Sequence, residues 1–324
     1  MSILVTGGAG FIGSCVVRTL NDAGCDDIII VDNIASTEKW KNIANKKYRT
    51  YFNKDVFLEK LHKGTEVDVD RIIHMGACSS TTERNFDYLW RNNVEYSKEL
   101  WRYAVEKQIP VIYASSAATY GDGSQGFDDK DDIDKLLPLN GYGYSKQAFD
   151  IWEKHYSGQK PPQYVGLKFF NVYGPNEYFK GSMASMVYHG FRQIRDTGKV
   201  RLFRSYDPKY EDGDQLRDFV YVKDVCDVIR WFIDHNDVSG LFNVGTGCPS
   251  TFHEMASATF AAMGREESIE YIDMPEELKE KYQYYTCANI KKLREAGYAG
   301  KFRDIKAGAY DYVTQHLARG YLCY

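Results

Sequence analysis

From residue 3 to residue 170, short apolar runs alternate with longer stretches whose apolar positions recur at helical spacing. The runs ILVT (3–6), DIIIVD (27–32), RIIHMG (71–76), PVIYASS (110–116) and YVGLKFF (164–170) are predicted strands, rich in β-branched and aromatic residues. Helices are predicted near 11–23, 55–63, 83–107 and 143–156. This alternation predicts βαβ units, and so an α/β fold with a doubly wound parallel sheet. The helical pattern KDVCDVIRWFIDH (223–235) leads into GLFNVG (240–245), a further strand expected to return to the same sheet. The remainder, 176–216 with 251–324, is rich in Met, Tyr and charge and is expected to form a smaller mixed α/β lobe for the substrate. The stretch YDPKYEDGDQ (206–215) reads as a loop.

Composition narrows the class. Of 324 residues, 44% are hydrophobic and 27% charged, as in ordinary globular chains, and the net charge of −4 gives no reason to expect nucleic acid. No apolar run reaches the ~18–20 residues a membrane span needs. The opening MSILVTGGAG lacks the basic and apolar regions of a secretory signal, so a cytoplasmic location is expected. Seven cysteines (15, 25, 78, 226, 248, 287, 323) are odd in number and form no C-x-x-C pair, which points to reduced thiols. No H-E-x-x-H spacing occurs, and no metal is expected. Composition does not explain the 26 tyrosines.

Chemistry begins at ILVTGGAGFIG. Gly7, Gly10 and Gly13 follow the first strand and open a helix, where bare backbone can approach a pyrophosphate and the helix N-terminus favours its charge. With Asp32 ending the second strand, the set reads as a Rossmann-type dinucleotide site, taking residues 1–175 with 217–250 as its domain and leaving 176–216 with 251–324 to the substrate. Asp32 on its face favours NAD, as a carboxylate for the adenosine ribose. Asn33, Lys39 and Lys54 follow closely, however, and two lysines there could hold a 2′-phosphate, so the residues leave the choice open.

A second constellation combines YASSAATYG (113–121) with GYGYSK (141–146). Tyr142 and Lys146 lie four apart, on one helix face, whereas Tyr144 points elsewhere. A lysine ammonium beside a phenol favours the phenolate. Ser116 ends the preceding strand and could bond a substrate oxygen; Ser115 is the adjacent possibility, and pleat alternation allows only one of them to face the site. Cys78, beside Ser79, reads as a small packing residue and not a nucleophile. Lys180 stands in the Gly/Ser-rich YFKGSMAS (178–185), where a solvated loop lysine is the plain reading of its position.

These residues resemble the extended short-chain dehydrogenase/reductase family of nucleotide-sugar enzymes. The likeness runs through TGGAGFIG (6–13), the Ser–Tyr-x-x-x-Lys set, FNVYGP (170–175), RDFVYVKD (217–224) and NVGTG (243–247), nearly the whole chain. It narrows through GACSSTTE (76–83), NNVEYSKEL (92–100), ASSAATYG (114–121), YFKGSMAS and KYQYYT (281–286). On those strings it implies epimerisation at C6 of an ADP-linked heptose, for the inner core of lipopolysaccharide, with bound NADP used and regenerated in each cycle. It implies a homo-oligomer, a pentamer by likeness. The rival readings are another nucleotide-sugar epimerase or dehydratase, a net dehydrogenase, and a non-catalytic NADP-binding sensor.

Carried over motif by motif, the resemblance gives the cofactor Phe11, Ile12, Asp32, Asn33, Lys39, Lys54, Met75, Gly76, Ala77, Cys78, Ser79, Asn93, Lys146, Val172 and Lys180, besides the three glycines. It gives the substrate Ser116, Asn171, Ser182, His189, Phe203, Arg204, Ser205, Tyr206, Arg217 and Tyr282, with Arg217 on the diphosphate. Tyr142 and Lys180 become the two acid/base groups, with Lys146 and Ser116 supporting. Met75 stands where the family carries an acidic residue, so only its backbone is expected to touch cofactor. The 206–215 loop is longer than the family pattern.

Overall fold

Six β-rich runs read from the sequence lie side by side with one short strand that was not foreseen. In the computed structural model, which describes residues 1–65, 67–279 and 282–324, these are β1 (Ile3–Thr6), β2 (Ile28–Asp32), β3 (Thr50–Asn53), β4 (Arg71–His74), β5 (Val111–Ser116), β6 (Tyr164–Phe169) and β7 (Gly240–Val244). Their spatial order is 3-2-1-4-5-6-7, with every neighbour parallel. All side chains of β1, β2 and β4 are buried, as continuous apolar runs in a two-sided parallel sheet require. The unforeseen β3, TYFN, is only half-buried at the sheet edge and so carries no apolar run. The order reverses between β1 and β4, which opens a crevice beyond their carboxyl ends.

Helices α1 (Phe11–Asp22), α2 (Lys54–His62), α3 (Tyr96–Lys107), α4 (Gly141–His155) and α6 (Val222–Asp234) connect or flank these strands. The helix expected over 83–107 is broken. Phe86–Leu89 is followed by a π-helical turn, Trp90–Glu95, before α3 begins.

Beside the sheet, α5 (Met186–Thr197), α7 (Phe252–Ala262) and α8 (Ile305–Gln315) form a second group with three short strand pairs, two of which draw on residues 171–173, 217, 219–221 and 250 expected in the dinucleotide part: Asn171–Tyr173 with Phe219–Tyr221, Val200–Phe203 with Ile269–Ile272, and Leu216–Arg217 with Ser250–Thr251. Its core is aromatic, with Tyr173, Tyr188, Tyr221 and Tyr312 buried together, which accounts for part of the tyrosine content. Asp218, fully buried, ties this group to the end of β7. Its carboxylate accepts from Thr246 N–H and Oγ1 (both 2.7 Å) and from Gly247 and Ala288 N–H (both 2.9 Å). Thus RDFVYVKD and NVGTG, separate in sequence, meet at one carboxylate. Of KYQYYT, Lys281 lies outside the described residues. No helix among the described residues is long and apolar enough to cross a membrane.

Candidate active site

The turn after β1 fits a pyrophosphate because it has no room for side chains. Gly7 adopts φ +65°, and a Cβ on Gly13 would lie 2.1 Å from the Gly7 carbonyl oxygen. Gly10 caps α1 without any side-chain hydrogen bond, so the first N–H groups of the helix face the crevice with no side-chain acceptor. A cleft of about 410 Å³ opens here. It is lined by Gly7, Gly10, Phe11, Ile12 and Gly13 on one side and by Met75, Gly76, Ala77 and Ser79 on another. Ser116, Tyr142, Lys146, Val172 and Lys180 line the same space. Its volume lies in the range of small-molecule sites.

Beyond Gly7 the crevice continues into a smaller recess lined by Asp32, Asn33, Lys39, Lys54 and Cys78. Asp32 Oδ2 accepts from Ala9 N–H (2.9 Å), and Oδ1 accepts from Asn33 N–H (2.7 Å) and Lys39 Nζ (2.8 Å). The Lys54 ammonium pairs with exposed Asp55 at 2.6 Å. Asp32 is therefore held by the glycine turn and neutralised by a lysine, with a second lysine beside the recess.

The floor is a buried polar string. Gly76 N–H donates to Thr6 Oγ1 (3.2 Å), which lies 2.5 Å from His74 Nδ1. His74 Nε2 lies 2.9 Å from Ser97 Oγ, and that hydroxyl donates to Asn93 O (2.7 Å). Burial, aided by the Lys146 charge, pushes His74 down to about 3, so the imidazole is neutral. Asn93, named above for the cofactor, lines neither space. Its amide instead braces the Cys78 backbone on both sides (2.8 and 3.0 Å) and reaches Ser145 Oγ of α4 (2.9 Å). The π-helical turn aims it there, and sequence periodicity gave no sign of that turn.

At the end of β5 both Ser115 and Ser116 line the cleft, against the expectation that only one would, but their hydroxyls have different partners. Ser115 Oγ donates to buried Asp150 (2.7 Å), which also pairs with buried Lys168 (3.0 Å). Ser116 faces Tyr142. Tyr144 is exposed and stacks on Phe86, with ring centroids 5.8 Å apart. The i,i+4 register thus puts Tyr142 and Lys146 together in the cleft. Their chemistry differs from the sequence reading, however. Lys146 Nζ donates to Ala114 O (2.9 Å), and burial lowers the ammonium to about 8. The Tyr142 phenol is pushed up by burial, offset in part by Ser116, so the side chains as they sit do not favour a phenolate.

Lys180 enters from the loop between Tyr173 and α5. Its Nζ lies 5.3 Å from the centre of the Phe11 ring, and burial lowers its pKa against the opposing pull of Glu177. The other substrate-side candidates apart from Ser116 lie outside the cleft lining. Arg217 is buried with no carboxylate partner among the described residues; its guanidinium lies over the rings of Tyr282 (5.3 Å) and Phe252 (5.7 Å) and donates to Leu216 O. Tyr282 meets Phe203 edge-on at 6.5 Å. Arg204 pairs with Asp212 (3.0 Å), Ser205 N–H donates to the same carboxylate, and Tyr206 OH donates to Asp273, so this trio is engaged with acidic neighbours. Asn171 and Ser182 are exposed, and His189 is half-buried with Ser182 backbone as neighbour. Sequence reasoning missed Asn42, Ser80, Asn176, Phe179 and Met183 in the cleft lining. Asn42, whose amide bridges Ala9 O and Asn176 O (both 3.1 Å), ends a short 3₁₀ helix, Glu38–Asn42, that carries no motif.

Comparison with known proteins agrees with this geometry. Residues 3–245 match the model of the NAD dependent epimerase/dehydratase family. A protein of Nitratidesulfovibrio vulgaris (strain DP4) named ADP-L-glycero-D-manno-heptose-6-epimerase is 51% identical over 317 residues, 97% of this chain and 98% of that one. Its namesake in Fusobacterium nucleatum subsp. nucleatum is 47% identical over 327 residues, covering 98% of each. The crystal structure of the Helicobacter pylori protein of that name is 28% identical, with a TM-score of 0.78 over 97% of this chain and 95% of that one.

Proposed function

The chain belongs to the NAD dependent epimerase/dehydratase family, and we propose that it inverts C6 of an ADP-linked heptose, from the D-glycero to the L-glycero form. The observation that carries this is one cleft holding the dinucleotide turn, the Ser116–Tyr142–Lys146 set and Lys180 together. The likeness at 51% identity to a heptose epimerase supports the choice of sugar.

A carbinol C–H with no adjacent carbonyl is barely acidic, so direct proton removal is a poor route to inversion. A nicotinamide held against the glycine turn, Val172 and Lys146 would supply reversible hydride transfer at C6. The chain's own task is to manage the hydroxyl proton, which lies on opposite sides of the carbon in the two epimers. Tyr142 and Lys180 are the two groups we assign to it. Burial makes the Tyr142 proton harder to lose and the Lys180 proton easier to lose, so the two groups differ in how readily they give up a proton. Lys146 anchors cofactor and strand end, and Ser116 steadies the reacting oxygen.

We assign the cofactor as NADP. Lys39 neutralises Asp32, the carboxylate that would repel a 2′-phosphate, and Lys54 lines the same recess. Arg217, buried beside Tyr282 and Phe252 without a counter-ion among the described residues, suits the substrate diphosphate. Residues 176–216 with 251–324 then serve as the substrate lobe. The family likeness further supports a homo-oligomer and a place in lipopolysaccharide core synthesis. The test is conversion of an ADP-heptose of one C6 configuration, followed by NMR. Equilibration of both epimers without net reduced cofactor supports the reading; accumulating reduced cofactor, or no turnover, overturns it.

A further inference from the structure

Glu177 has no part in the chemistry above, yet it is 1% exposed, two residues beyond the Gly174–Pro175 turn. Its carboxylate closes the loop that carries Lys180. Oε1 accepts from Gly174 N–H (3.4 Å) at one end and from Ser185 Oγ (2.6 Å) at the other, while Oε2 accepts from Ser185 N–H (2.7 Å). Ser185 in turn caps α5 by accepting from Tyr188 N–H. Between these ends, Lys180 N–H donates to Glu177 O (3.0 Å).

Every donor touching the carboxylate is neutral. A glutamine could answer much of that geometry, and burying a carboxylate costs more than burying an amide. Burial pushes the Glu177 carboxyl's pKa up, while the Ser185 donors, the Lys180 charge and the Gly174 N–H favour the ionised form. Lys180, three residues on, is the nearby cation, and no side-chain hydrogen bond or ion pair satisfies its ammonium among the described residues. Tyr178 and Tyr312 also face the carboxylate and carry no charge at neutral pH.

We propose that Glu177 is the positioning residue for Lys180, fixing both ends of loop 174–185 and holding a negative charge behind the ammonium. The proposal rests on the reading of Lys180 as the second acid/base group. It removes the need for a direct ion pair, which would hold the ammonium away from the substrate.

The test compares Glu177→Gln and Glu177→Asp with the parent, all in the cofactor-loaded protein. Epimerisation gives kcat and KM. Trace acetic anhydride with peptide mass spectrometry gives the pH midpoint at which the Lys180 amine becomes reactive. Glu177→Gln is expected to lower kcat by about 10²-fold, since the loop carrying the proton-transfer group is released. KM should change much less. The acylation midpoint should move to lower pH, because the ammonium loses its neighbouring carboxylate, while Asp32, Lys39, Tyr142 and Lys146 around the cleft are unaltered. Glu177→Asp, which keeps the charge, should recover part of both. An unmoved midpoint overturns the proposal, whether or not the unfolding temperature falls, and so does parental kcat. Lys180→Met separates the two claims: parental epimerisation there ends the acid/base reading, while the midpoint in Glu177→Gln still tests the coupling.

Discussion

Lowering the pH from about 7.5 to about 5 should cost this fold about 2 kcal/mol through one side chain, His74. The imidazole is buried between Thr6 and Ser97, and burial together with the Lys146 charge puts its folded value at about 3, against 6.5 when unfolded. Because the folded value is depressed, the unfolded chain binds the proton first, and stability falls as the pH drops through 6.5 towards 3. At pH 5 the unfolded imidazole is nearly all charged and the folded one is not, which gives the figure above. The comparison is with His74→Gln, whose amide keeps a donor and an acceptor but does not titrate. Urea unfolding followed by tryptophan fluorescence, with buried Trp101 as reporter, gives ΔG at both pH values. The variant should be weaker at pH 7.5 but lose about 2 kcal/mol less on acidification. Equal losses in parent and variant would mean that His74 is not the buried neutral group described, and that the string beneath the cofactor turn carries no such linkage.

Tyr142→Phe should lower turnover by roughly 10²–10⁴ with fold and cofactor content kept, while Tyr144→Phe, a surface stacking residue, should be silent; steady-state kinetics of the pair checks the helix register. Arg217→Gln should weaken ADP binding by calorimetry about tenfold or more, because a buried charge-assisted contact is lost; unchanged affinity would make Arg217 a packing residue. Lys39→Ala should shift the cofactor recovered from purified protein away from NADP, since it removes a cation and exposes the Asp32 carboxylate to the 2′-phosphate. Recovery of NAD alone from the parent would end the phosphate assignment.

The strands that were legible from sequence are those buried on both faces, where the apolar run is continuous. β3 escaped because an edge strand of four half-buried residues has no such run. The break at Trp90–Glu95 escaped because a π-helical turn adds one residue without disturbing composition, and with it went Asn93's role as a brace. Tyr142 and Lys146 were found by spacing alone, since a helix fixes which residues share a face. The electrostatics between them was not, because burial and the Ala114 carbonyl outweigh a neighbour counted along the helix. Phe203, Arg217 and Tyr282 come from three distant visits of the chain, so only family resemblance could join them. Glu177 had no signal at all: one glutamate after a turn looks like any loop residue until its donors are seen.

The carboxylate of Asp218 also sets an order of assembly. Its last donor, the N–H of Ala288, lies 70 positions further along the chain. At synthesis rates of about 5–20 residues per second, roughly 4–14 seconds separate the emergence of Arg217's strand from that of the group that completes its anchorage. During that interval β1 to β6 are already available to pair, since all of them precede residue 170. A nascent chain stalled short of residue 288 would therefore display a nearly finished sheet beside a strand whose Asp218 anchor still lacks its last donor.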